Sequence, residues 1–121
     1  MKKTVIIGAT PNPSRYAYLA AEMLQEYSQE FVPVGIKRGS VFGKEILDLR
    51  TYPEIENVDT ITLYINRSHQ KEWYDYFFKL KPKRVIFNPG TENPELEKLL
   101  EEKNIQALEA CTLVLLRSGQ F

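Results

Sequence analysis

Short apolar runs alternate with longer stretches whose apolar residues recur every three or four positions, from one end of the chain to the other. The first run, Thr4-Val5-Ile6-Ile7-Gly8-Ala9, is apolar throughout rather than at every second residue, as befits a strand covered on both faces. After the turn Thr10-Pro11-Asn12-Pro13, Ser14 is placed to cap a helix over about 15–28. Tyr16, Ala20, Met23, Leu24 and Tyr27 would share its apolar face. Residues 31–36 read as a second strand, in which Pro33 removes one ladder donor and so must sit at an unpaired edge or a bulge. Residues 60–65 read as a third strand. Ser68 opens a helix to about Leu80, with Trp73, Tyr76, Phe77 and Leu80 as its apolar members, and Pro82 ends it. A fourth strand over 84–87, a helix over 94–103 begun by Pro94, and a fifth strand over 105–109 follow. Cys111-Thr112 opens a final short helix. Between 41 and 55 the pattern fits either a short helix or a hairpin ending at Tyr52-Pro53.

Strands alternating with helices predict a Rossmann-like three-layer α/β sandwich, one domain over 1–121. Its five-stranded, mostly parallel sheet is expected in the order 3-2-1-4-5. A ligand belongs outside the carboxyl ends of the strands, near strands 1 and 4.

Composition narrows the function classes. Hydrophobic residues make up 43% and charged residues 26%, a globular balance. Sixteen basic and 16 acidic residues cancel, so the basic excess of a nucleic-acid binder is missing and no nucleic-acid partner is expected. One cysteine forms no internal disulfide, and with the single histidine, His69, it makes no metal cluster. The first apolar run is too short for a signal-peptide core or a membrane span, which predicts a cytoplasmic protein without a membrane partner. Tyr64, Trp73, Tyr74, Tyr76, Phe77 and Phe78 fit a helix-on-sheet core or a self-association patch, so a monomer or weak homodimer is expected.

The first strand-to-helix turn is the place for a phosphate, because free backbone N–H groups and the positive helix end meet there. Here it reads Gly8-Ala9-Thr10-Pro11-Asn12-Pro13-Ser14-Arg15, without the second and third glycines of the dinucleotide fingerprint. Two prolines stiffen it, and Thr10, Asn12, Ser14 and Arg15 offer polar side chains. Such a turn either holds a phosphate or simply connects strand to helix. An NAD site carries an acid after strand two. This chain has Lys37-Arg38, suited to the additional phosphate that NADP and coenzyme A both bear. Ile65-Asn66-Arg67-Ser68 and Asn88-Pro89-Gly90-Thr91-Glu92 rise on the same rim, and Gly90 admits close backbone approach.

The run from Gly8 to Tyr16, Val32-Pro33-Val34, Val58-Asp59, Asn88-Pro89-Gly90-Thr91-Glu92-Asn93 and Ala110-Cys111 together resemble the stand-alone CoA-binding proteins. They are similar to the N-terminal CoA-binding domain of the succinyl-CoA synthetase α subunit. The resemblance implies a site for coenzyme A or an acyl-CoA at Gly8, Ala9, Thr10, Asn12, Ser14 and Arg15. It adds Val34, Gly35, Lys37 and Arg38 after strand two, Ile65, Asn66 and Arg67 after strand three, and Pro89 and Gly90 after strand four. Two departures stand out. Gly35-Ile36 replaces the family's Asn-Pro, and the segment 45–51 is longer than usual. No catalytic residue is assigned. The synthetase's phosphohistidine comes from a second domain, His69 reads as an ordinary helix residue, and no nucleophile–base spacing is evident. Cys111 reads either as a small core hydrophobe or as a thiolate favoured by a helix start. An NADP-binding enzyme or sensor, and an interaction domain with a vestigial nucleotide pocket, stay open beside CoA binding.

Overall fold

A computed structural model describes residues 2–121. Its central sheet contains β1 (Lys3–Ile7), β2 (Glu30–Gly35), β3 (Leu47–Asp48), β4 (Thr60–Leu63), β5 (Arg84–Phe87) and β6 (Gln106–Glu109). Spatially they run β3-β2-β1-β4-β5-β6, with every neighbouring pair parallel. The sheet thus has six strands instead of five. Numbered as expected from the sequence, the five strands run 2-1-3-4-5 rather than 3-2-1-4-5, because Leu47–Asp48 occupies the edge beside β2 expected for the 60–65 run. The 60–65 run is therefore the fourth strand and lies across β1 from β2. The added strand escapes sequence reading because it is two residues long and pairs with β2 only at Val34 and Gly35.

That short pairing also accommodates Pro33. The Val34 carbonyl points toward β1, accepting from Gly8 N at 2.9 Å. Adjacent residues of a strand point their backbone groups to opposite edges, so Pro33 faces outward, where β3 has not yet begun.

Four α-helices cover the sheet: α1 (Tyr16–Glu26), α2 (Tyr74–Leu80), α3 (Pro94–Glu102) and α4 (Thr112–Arg117). On one face Ile6, Phe31 and Ala9 pack against Ala20, Leu24, Leu113 and Leu116 of α1 and α4. On the other, Val5, Ile7, Ile61, Leu63, Val85 and Phe87 meet Tyr76, Phe77, Leu80, Leu96 and Leu100 of α2 and α3. The two-sided burial accounts for the continuous apolar strands. The buried stripe of α1 is Ala17, Ala20, Ala21, Met23 and Leu24, whereas Tyr16 and Tyr27, expected on it, are 71% and 44% exposed. Small alanines let the helix lie close to the sheet, and the bulky tyrosines turn outward.

The ambiguous segment resolves into a ribbon of Ser40–Val41 with Lys44–Glu45, then β3 and a 3-10 turn, Leu49–Thr51. The ribbon's turn places Phe42 and Gly43 at φ 50° and 80°, the double positive φ of a tight hairpin. Phe42 rests on Tyr18 of α1, with ring centroids 5.1 Å apart. No helix among the described residues is long and apolar enough to cross a membrane.

Candidate ligand-binding site

The loops leaving β1, β2, β4 and β5 enclose a cavity of about 830 Å3 on the carboxyl rim of the sheet. Its base is set by backbone. Gly8 N and Ala9 N both donate to the Val34 carbonyl, at 2.9 and 3.0 Å, which draws the first loop onto the exit of β2. The approach leaves no room for a side chain at Gly35. A Cβ there would stand 2.7 Å from Ala9 O and 3.1 Å from Ala9 N.

The first loop is wired internally. Asn12 Oδ1 accepts from Ser14 N at 3.0 Å and from Ser14 Oγ at 2.8 Å, while Asn12 N donates to Thr10 Oγ1 at 3.2 Å. Ser14 is consequently engaged with Asn12 and does not cap α1, contrary to expectation. Arg15 takes the N-cap position in extended backbone, and its side chain bonds none of the first-turn donors. Among the described residues, no protein acceptor meets the N–H groups of Tyr16 or Ala17. An 11-residue helix therefore presents an uncapped, positively polarised end to the cavity, with Arg15 beside it.

The β2 exit supplies Ile36 and Lys37. Ile36 is 54% exposed, so it and Tyr16 are large apolar side chains left uncovered at the mouth. Gly39 lies against the ring of Pro11, clipping the basic turn to the first loop. Arg38 is outside the lining. Its charge acts on Asp48, whose carboxyl is held below the usual range first by hydrogen bonds from Arg50.

The wall above β4 departs most from the sequence reading. Instead of one helix from Ser68, two 3-10 turns, Arg67–His69 and Lys71–Trp73, precede α2. Gln70 explains the break. It is fully buried, and its amide nitrogen donates at 2.8 Å to both Ile65 O and Thr91 O, while its oxygen accepts from Asn93 Nδ2 at 2.8 Å. This cinch binds the β4 and β5 loops together, and the backbone tightens to i→i+3 bonds around it. The result brings His69, Glu72 and Trp73 into the cavity wall. Arg67 stays out of the lining; its positive charge acts on the phenol of Tyr74, whose ionisation is nevertheless made harder by burial first.

The remaining wall is Pro89, Gly90 and Thr91. A second buried network steadies it. Asn88 Nδ2 donates to Thr62 Oγ1 at 2.8 Å and Leu63 O at 3.0 Å, and Asn88 Oδ1 accepts Thr112 N at 2.9 Å. Thr62 and Thr112 hydroxyls meet at 2.7 Å, fixing the start of α4 to β4. Tyr64 lines the cavity beside this network. Burial pushes its phenol up to about 12, partly offset by the hydroxyls of Thr62 and Thr112, so it is a neutral donor near pH 7. Cys111 is half-buried next to Tyr64 and is not part of the lining.

Every candidate residue from the sequence lines the cavity except Val34, Arg38 and Arg67. Val34 is fully buried and contributes its carbonyl to the base. Sequence reasoning missed Tyr16, Ala17, Ile36, Leu49, Tyr64, His69, Glu72, Trp73 and Thr91 as lining residues. Glu72 is the lone carboxylate among them, against Arg15 and Lys37. No group of three or more metal-ligating side chains occurs among the described residues.

A family model described as a CoA binding domain matches residues 2–117. A crystal structure of an uncharacterized protein is 58% identical, covers 100% of this chain and 98% of its own, and superposes with a TM-score of 0.96. At fold level, a structure from Thermus thermophilus is 24% identical with a TM-score of 0.84, over 99% of this chain and 90% of that one. A conserved hypothetical protein from Pyrococcus furiosus is 22% identical with a TM-score of 0.81, over 94% and 98%. No curated protein matches the chain significantly.

Proposed function

The chain belongs to the CoA-binding domain family, and from that premise we propose that its rim cavity binds coenzyme A, free or acylated. The observation that carries this reading is the uncapped end of α1 opening into the cavity next to Arg15, with Lys37 in the same lining. A diphosphate is the ligand group such an arrangement suits: two free N–H donors, a helix dipole and an arginine converge on one spot. Lys37, at the β2 exit, is the proposed partner of the phosphate on the adenosine ribose. The cavity is large enough for a cofactor of this size, within the usual range of about 300–1,000 Å3.

The residues fit the group in two further respects. Gly35 and the first loop approach so closely that no side chain intervenes between them, which leaves backbone as the floor under an extended ligand. Tyr16 and Ile36, exposed at the mouth, have apolar surface that a bound ligand would cover. Toward β5, Pro89, Gly90 and Thr91 offer a neutral path for the pantetheine arm. The lining carries no nucleophile held by a base, so binding, rather than chemistry on the ligand, is the proposed role.

Thermal unfolding with CoA, acetyl-CoA, NADP and NAD tests the proposal. At one hundred times the dissociation constant a ligand stabilises by about 2.7 kcal/mol. CoA or acetyl-CoA should raise the midpoint most, and NAD least. An equal or larger rise with NAD would overturn it.

A further inference from the structure

Resting on the CoA reading, we infer that Trp73 is the platform on which the ligand's adenine ring lies, making it a specificity-determining residue of the site. Trp73 is the only tryptophan in the chain and lines the cavity from the second 3-10 turn. Its ring is 6.4 Å, centroid to centroid, from that of Tyr52, which follows the turn after β3. This fixes the side of the cavity. Trp73 stands on the side of the cavity next to the turn after β3, which also supplies Leu49, and shares the lining with Ile36 and Lys37.

Charge then sorts the ligand along the cavity. The Trp73 wall carries Glu72, the one lining carboxylate, so an anionic phosphate is unwelcome there and a neutral flat ring is not. The phosphates belong with Arg15, Lys37 and the α1 end. Adenine and the ribose phosphate share one sugar, so the ring must lie within a few bonds of Lys37. The apolar surface offered beside Lys37 and along the Trp73 wall is Ile36 and the Trp73 indole, with Leu49 buried beneath. Tryptophan also offers the largest flat face for stacking a base. The pantetheine arm is left to run the opposite way, past Gly90.

The test uses Trp73 as its own reporter, with CoA and its two halves, 3′,5′-ADP and 4′-phosphopantetheine. CoA and 3′,5′-ADP should quench the tryptophan emission saturably, and 4′-phosphopantetheine should not. Trp73→Leu should weaken CoA and 3′,5′-ADP about tenfold by calorimetry and leave 4′-phosphopantetheine unchanged. Trp73→Phe, which keeps a ring in a better-tolerated volume, should recover most of the loss. Wild-type protein that binds CoA with unaltered emission, or Trp73→Phe and Trp73→Leu that are folded and bind CoA as tightly as wild type, would overturn the assignment while leaving CoA binding intact. Failure of CoA to bind at all would overturn both.

Discussion

Replacing Gly35 with alanine tests how tightly the floor of the cavity is built. The glycine has no left-handed φ, so alanine there carries no conformational strain and the effect is one of space alone. The new Cβ would stand 2.7 Å from Ala9 O and 3.1 Å from Ala9 N. Ordinary contact needs roughly 3.5 Å, so strand end and first loop must separate by over half an ångström. Neither can yield as a flexible side chain would. Both groups are backbone, and Gly8 N and Ala9 N are tied to the Val34 carbonyl one residue away. Overpacking of this kind costs about 1–3 kcal/mol. The same displacement moves the first loop relative to Lys37, so CoA affinity should fall by about tenfold or more beyond the stability loss. Urea denaturation and calorimetric titration of the same variant measure the two effects. A variant within about 0.3 kcal/mol of wild type in stability and unchanged in affinity would show that the floor relaxes freely, and the steric reasoning would be wrong.

Three other outcomes are expected. Lys37→Ala should weaken CoA by about 1.5–3 kcal/mol more than it weakens dephospho-CoA, whereas Arg38→Ala, whose charge faces Asp48, should treat the two ligands nearly alike; calorimetry with both ligands decides. Asn88→Leu strands the Leu63 carbonyl and the Thr112 N–H in the interior and leaves the Thr62 hydroxyl with Thr112 as partner, and urea unfolding should register a loss of about 2–4 kcal/mol. Tyr64 and Tyr76 are both raised to about 12, chiefly by burial, so the fold favours their neutral forms. Their contribution is complete below pH 10 and is lost between about pH 10 and 12, so unfolding free energy should decline over that window and decline less in Tyr76→Phe.

The layered architecture is legible because buried parallel strands leave apolar runs, and β1, β2, β4 and β5 do so, while β6 at the sheet edge is only partly buried. β3 leaves none: it is two residues pairing with the end of β2. The first loop is legible from position alone, since a strand, a polar turn and a helix in sequence place donors on the rim. The β4 wall is not. Residues 68–80 carry helical spacing, but Gln70 is pulled between two carbonyls from distant loops, and nothing in its neighbours announces that. His69, Glu72 and Trp73 reach the cavity only because of that break. Tyr16 misleads for a related reason: it keeps the helical period, yet alanines one position over lie against the sheet. Local periodicity describes faces, and which face is covered is decided by packing partners elsewhere in the chain.

The most direct measurement is an amide NMR titration of the labelled protein with CoA. The central claim predicts saturable shifts concentrated at Thr10, Tyr16, Ala17, Gly35, Lys37 and Gly90, the backbone around the cavity. An unchanged spectrum with CoA in large excess, or shifts confined to residues away from this rim, such as the groove between 52–56 and α2, would contradict it.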